Sequence, residues 1–121
     1  MAEPTLDEFL KDKEGRRGNA YVRFTGFSAL YVRYTQRYLK QQVRYPVLDL
    51  ANLAAKKPGR GSFTELFHYL RKNYPHLWLY VECVQTERFE KKLIDMGFTK
   101  SDHSSLSACF FMEPVGESHD N

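Results

Sequence analysis

Between residues 43 and 84 the hydrophobic period of this chain changes twice, and few folds accommodate that change. Val43 to Ala55 is a largely apolar run that reads as a central β-strand. Phe63, Leu66, Phe67, Leu70 and Tyr74 then recur at helical spacing, predicting a helix over Ser62 to Asn73 that Pro75 stops. Leu77 to Val84 returns to a continuous apolar run broken only by Glu82, as expected of a strand buried on both faces. A strand, helix and strand in succession form a right-handed crossover, so these two strands should be parallel neighbours. The expected class is α/β: a mixed, mostly antiparallel sheet with one parallel crossover pair.

The flanking segments supply the rest of that sheet. Thr5 is placed as the N-cap of a short first helix, with Asp7 and Glu8 in its first turn and Phe9 and Leu10 facing inward. Tyr21 to Phe24 and Leu30 to Tyr38 read as two strands joined near Gly26. In the second, Leu30, Val32 and Tyr34 alternate with Tyr31, Arg33 and Thr35, giving an aromatic core face and a solvated basic face. Thr86 to Met96 reads as a helix capped by Thr86 and ended by Gly97. Leu106 to Met112 reads as a last strand.

The joint between the first crossover strand and its helix is Lys57-Pro58-Gly59-Arg60-Gly61-Ser62-Phe63-Thr64. The first N–H groups of a helix have no internal partner, and the helix dipole favours negative charge there. Glycines allow close backbone approach, and Arg60 adds a cation. The pattern points to a bound phosphate group.

The 121 residues suit one domain, with residues 1–13 as an N-terminal helix region and residues 113–121 as a flexible tail. The net charge of +3, from 18 basic and 15 acidic residues, does not demand a nucleic-acid partner. The acidic, polar N-terminus is unlike a signal peptide, and no apolar run reaches membrane-spanning length, so no membrane association is expected. Cys83 and Cys109 lie in apolar runs without metal-type spacing and read as buried free thiols of a cytoplasmic protein. His68, His76, His103 and His119 form no ligand cluster, so no metal is expected.

Over residues 47 to 98 the chain resembles the GCN5-related N-acetyltransferases. Leu48-Asp49-Leu50-Ala51-Asn52-Leu53-Ala54-Ala55 followed by Gly59-Arg60-Gly61-Ser62-Phe63-Thr64 is similar to that family's fourth strand and pyrophosphate loop. Leu79 to Val84 is similar to its fifth strand, and Thr86-Glu87-Arg88-Phe89 through Met96-Gly97-Phe98 to the helix after it. The resemblance implies the acyl-CoA N-acyltransferase fold, with acetyl-CoA or another acyl-CoA as ligand. Its pantetheine arm would lie along Leu53, Ala54 and Ala55 where two strands splay apart. Its phosphates would meet Gly59, Arg60, Gly61, Ser62, Phe63 and Thr64, with Lys56 and Lys57 near. Pro58 and Phe63 depart from the family pattern, and Leu93 stands where a proton-donating Tyr is frequent. Many relatives have two helices between their first strands to build the acceptor pocket, whereas here only Thr5 to Lys13 is available. Small members of this kind resemble those of phage genomes.

The implied reaction is transfer of acetyl to an amine, for instance of a protein. Glu82, Asn52 and Asp49 are the polar candidates for its chemistry. Glu82 reads either as a base raised by desolvation or as a carboxylate bonded to backbone or to an Arg. Strand alternation predicts that Asp49 and Asn52 point opposite ways. Two further readings stand beside the enzyme. One is a non-catalytic protein of this fold that binds a partner protein. The other, less favoured, is a nucleic-acid binder using the Tyr/Arg strands for stacking and phosphate contact.

Overall fold

A computed structural model describes residues 3–12, 16–84, 86–101 and 108–116. The elements are α1 (Leu6–Asp12), β1 (Gly18–Tyr21), β2 (Phe27–Leu39), β3 (Gln42–Ala55), α2 (Ser62–Asn73), β4 (Trp78–Val84), α3 (Glu87–Asp95), β5 (Thr99–Lys100) and β6 (Ala108–Met112). The strands form one sheet in the order β1-β2-β3-β4-β6-β5. Among the described strands only β3 and β4 run parallel, as the crossover requires, and every other strand pair is antiparallel. The mixed α/β class is therefore as expected. No described helix is long and apolar enough to cross a membrane.

All three helices serve one face of the sheet. Leu6, Phe9 and Leu10 of α1, Phe63, Leu66 and Leu70 of α2, and Leu93 of α3 share a core with Leu30, Val32 and Tyr34 of β2, Leu48 and Leu50 of β3, and Leu79 and Val81 of β4. Their intervening residues face the other side, where Leu39, Val47, Trp78, Tyr80 and Phe111 form a second, smaller cluster with no helical member. One face of the sheet is thus left without a helical cover among the described residues.

Local chemistry sets several element boundaries. Thr5 and Glu8 form a reciprocal capping box: the Thr5 hydroxyl accepts from the Glu8 N–H at 3.1 Å, and Glu8 Oε1 accepts from the Thr5 N–H at 2.9 Å. The phenols of Tyr69 and Tyr74 both donate to Asp7, at 2.5 and 2.6 Å, and tie α1 to α2. β1 covers Gly18–Tyr21 rather than Tyr21 to Phe24. Beyond Tyr21, the Arg23 N–H donates to the Pro4 carbonyl at 2.8 Å and the Leu6 N–H donates to Arg23 at 3.1 Å. That segment keeps one bond to β2, from the Val22 N–H to the Leu30 carbonyl at 2.8 Å, and then leaves the sheet to hold the N-terminus.

β2 and β3 continue beyond the rest of the sheet as a long hairpin arm. Their register jumps where Gln36 opposes Tyr45 and Pro46, whose peptide bond is cis. Beyond the jump the arm lies against the helix-free face. Leu39 packs with Trp78, Tyr80 and Phe111, the Arg44 guanidinium lies 4.8 Å from the Trp78 ring centroid, and Lys40 pairs with Glu113. Glu113 is therefore held and not part of a frayed tail: its carbonyl also accepts from Arg71 at 2.9 Å, and the Val115 N–H reaches Pro75 at 2.9 Å. Of the expected last strand, residues 106–107 lie outside the described residues, as do His103, His119 and the end of the tail.

The arm closes with Lys40 and Gln41 at φ 52° and 67°, a two-residue turn that needs left-handed backbone at both positions. Neither residue is suited to that region, whereas glycine is. Gln41→Gly should therefore raise the unfolding free energy by about 0.5–1 kcal/mol. Denaturant titration measures it, and an unchanged or lowered midpoint would count against the turn.

Candidate functional site

The parallel ladder of β3 and β4 is short. It pairs Val47 with Trp78 through Leu50 with Val81 and stops there, although β3 runs on to Ala55 and β4 to Val84. From Leu53 to Ala55, β3 is bonded to β2 along one edge and, among the described residues, has no strand partner along the other. The carboxyl ends of the parallel pair thus part without pairing, leaving an opening in the ladder at the place where ligands usually bind in such sheets.

Two helix starts border this opening. Phe63 in the first turn of α2 meets Phe89 in the first turn of α3 edge-on, with ring centroids 5.1 Å apart. α3 is capped by the Thr86 hydroxyl, which accepts from the Phe89 N–H at 3.2 Å, and α1 by Thr5. α2 alone has no side-chain cap: its N-cap is Gly61, at φ 83°. Gly59 also has φ 83°, and a Cβ built on either glycine would meet nothing within 4 Å. The loop therefore needs glycine for its backbone conformation and presents open space in front of it. Lys56, Lys57 and Arg60 are exposed around it, and none forms an ion pair among the described residues. Leu53, Ala54 and Ala55 are half-buried beside the opening. Phe63 is buried and begins the helical stripe, whereas Ser62 and Thr64 are half-buried. Ser62 packs on Gly26: a Cβ at Gly26 would come within 2.8 Å of its hydroxyl, so the β1–β2 turn sits directly on the start of α2.

The helix-free face at the foot of the opening carries four charged side chains. Arg37 Nη2 donates to Asp49 Oδ2 at 2.5 Å and to Glu82 Oε2 at 2.8 Å. Arg33 Nη1 donates to Glu82 Oε2 at 2.7 Å and stands 3.6 Å from Asp49 Oδ2. Arg37 stacks on Tyr80, 4.1 Å from the ring centroid. Arg33 and Arg37 are consequently not on a purely basic face, because each donates to a carboxyl group one or two strands away. Asp49 is 0% exposed. Burial pushes its carboxyl up to about 7, and the neighbouring Glu82 adds to the rise, against the lowering by Arg37. Burial alone would raise Glu82 too, but hydrogen bonding with Asp49 and the charges of Arg37 and Arg33 hold it below the ordinary carboxylate range. Glu82 is thus the arginine-bonded carboxylate of the two alternatives.

Asn52 is exposed and stands on the same face as Asp49, contrary to simple alternation. Asp49 pairs with Arg33 and Asn52 with Tyr31, two residues of one β2 face. A register shift between these pairs leaves Ala51 as an extra residue and reverses the parity. Asp49, Glu82 and Asn52 therefore share a face, while the glycine loop lies at the far end of the opening. The arginines were legible only in retrospect: Arg33 and Arg37 recur on one face of β2, opposite lone acids in two apolar strands. Among the described residues no group of His, Cys, Asp and Glu could hold a metal ion.

No family model, characterised protein or solved structure matches this chain.

The folded state keeps the Asp49 proton to about pH 7, whereas an unfolded carboxyl loses it near about pH 4. It thus binds more protons between these values, and its stability falls as pH rises through the window. Wild-type unfolding free energy should drop by roughly 2 kcal/mol from about pH 5 to about pH 8, and Asp49→Asn should abolish most of that slope. Denaturant titrations at both pH values check it; parallel wild-type and variant profiles would refute the buried protonated Asp49.

Proposed function

We propose that the protein binds an acyl-CoA, acetyl-CoA first, in the opening between β3 and β4, and transfers the acyl group to an amine in the manner of the GCN5-related N-acetyltransferase fold. The observation that carries the reading is the coincidence of two features at one place. The ladder ends at Leu50 and Val81, leaving an unpaired edge along Leu53, Ala54 and Ala55. That edge leads, through residues 56–61, into the one helix start among the described helices that has no side-chain cap. An extended amide-bearing chain such as pantetheine suits a bare strand edge. A pyrophosphate suits the free N–H groups of Ser62, Phe63 and Thr64, with Arg60 and the neighbouring lysines in support. The single parallel pair within an otherwise antiparallel described sheet supports the reading. The amine acceptor, for instance on a protein, would approach from the helix-free face, beside the hairpin arm.

A second reading, a non-catalytic protein of this fold that binds a partner, draws support from the hairpin arm. Its outer side exposes the cross-strand pair Tyr38 and Val43, at 54% and 61%, together with Tyr45. Nucleic-acid binding by the Tyr/Arg strands is disfavoured, since Arg33 and Arg37 are already engaged by carboxylates.

Calorimetric titration with acetyl-CoA tests the primary reading. Gly61→Asn is the informative variant, because Asn tolerates left-handed backbone and would fill the open space. It should weaken binding about tenfold or more while leaving thermal stability nearly unchanged. No heat of binding at millimolar acetyl-CoA would overturn the reading, and equal affinity in the variant would displace the ligand from this loop. Binding without thiol release across amine and protein acceptors would favour the partner-binding protein.

A further inference from the structure

The four-charge cluster on the helix-free face has a feature that ion pairing alone does not explain. One guanidinium nitrogen of Arg37 bonds an oxygen of Asp49 and an oxygen of Glu82, which makes the two acidic groups close neighbours. Asp49 has no exposed surface, and its other oxygen, Oδ1, has no hydrogen-bond donor among the described residues. An anionic oxygen buried without a donor is costly. A proton on one of two adjacent carboxylates removes that cost, because the acid then donates to its ionised partner.

We infer that Asp49 and Glu82 work as one unit that holds a single proton, and that Glu82 is the member that exchanges it with an amine brought to the helix-free face. The surroundings suit this division. Glu82 is the first β4 residue beyond the paired ladder and has side-chain surface at 18%, whereas Asp49 lies wholly behind it. The groups facing the pair are Arg33 and Arg37 from β2, Tyr80 from β4, and Cys109 of β6 through Tyr80, with Asn52 of β3 farther along the same face; among the described residues no helix contributes a charge. Two guanidiniums balance the two ionised carboxylates and leave one net positive charge when the pair is protonated. That arrangement keeps a proton exchangeable near neutral pH. Asp49 is then a positioning residue that acts through Glu82.

The inference rests on the acyl-CoA reading of the opening, and it supplies the proton balance that reading lacks. The ionised pair takes one proton from R–NH3+. The nitrogen lone pair so released forms the C–N bond to the thioester carbonyl carbon while the C–S bond breaks and its electrons go to sulfur. The second nitrogen proton passes to that thiolate, giving amide and free thiol. No separate acid is needed, which agrees with the fully buried hydrocarbon of Leu93.

Two measurements on the full chain test this. Carbon-detected NMR titration of side-chain carboxyls without ligand should show one midpoint near neutral pH. Asp49→Asn should remove it, and Glu82→Gln should move the Asp49 midpoint to lower pH. Carboxylates that both stay ionised through the neutral range would overturn the shared proton, whatever the fate of acyl-CoA binding. The rate of acetyl transfer to a small primary amine should rise through neutral pH in the wild type. In Asp49→Asn that rise should move to acid by about 2 pH units with a lower plateau, and Glu82→Gln should lose on the order of 100-fold in rate. An unmoved pH limb in Asp49→Asn would overturn the exchange with amine, as would absent turnover in protein that binds acetyl-CoA.

Discussion

The grip of Arg37 on two carboxylates is the contact on which the helix-free face depends. With all three helices drawn to the opposite side, this face has no hydrocarbon layer of its own beyond Leu39, Val47, Trp78, Tyr80 and Phe111. Arg37 joins β2 to β3 through Asp49 and to β4 through Glu82, and its guanidinium covers the Tyr80 ring. Three strands are thereby clamped across the line where the parallel ladder gives out. Such a clamp is costly to break from one side, because removing either partner leaves a buried charge unmatched. It also explains how β3 and β4 can part company above Leu50 and Val81 without the sheet losing its register below.

Much of the architecture was legible because its signals are local. The crossover followed from the helical stripe Phe63, Leu66, Leu70 between two apolar runs, and the caps at Thr5 and Thr86 from short polar patterns with a direct hydrogen-bond reason. Helix α2 has the predicted limits, Ser62 to Asn73. The first strand lies earlier than alternation predicts because Arg23 spends its backbone bonds on Pro4 and Leu6, a long-range choice that alternation cannot reveal. The side on which Asn52 stands depended on one inserted residue, Ala51, and bulges leave little trace in composition. The engagement of Arg33 and Arg37 was hidden for the same reason: their partners lie one and two strands away.

The candidate site divides along the same line. Its glycine-loop end, the proposed phosphate site, was readable from Gly59, Arg60 and Gly61, and the structure adds a physical contrast: α1 and α3 have side-chain caps, whereas α2 starts on a left-handed glycine before open space. The opposite end, where acceptor chemistry would occur, was readable only as three separate polar residues. Their convergence on one helix-free face gives Asp49, Asn52 and Glu82 a shared setting, and it gives an acceptor access that a covered sheet would deny.

The most direct test of the acyl-CoA account is to map, by backbone amide NMR, where CoA touches the protein. The account predicts the largest shift changes at Leu53 to Ala55 and at Arg60 to Thr64, with smaller ones at Glu82 to Val84 across the opening. Shift changes confined to the hairpin arm or to the charged cluster, with these amides unmoved, would contradict it.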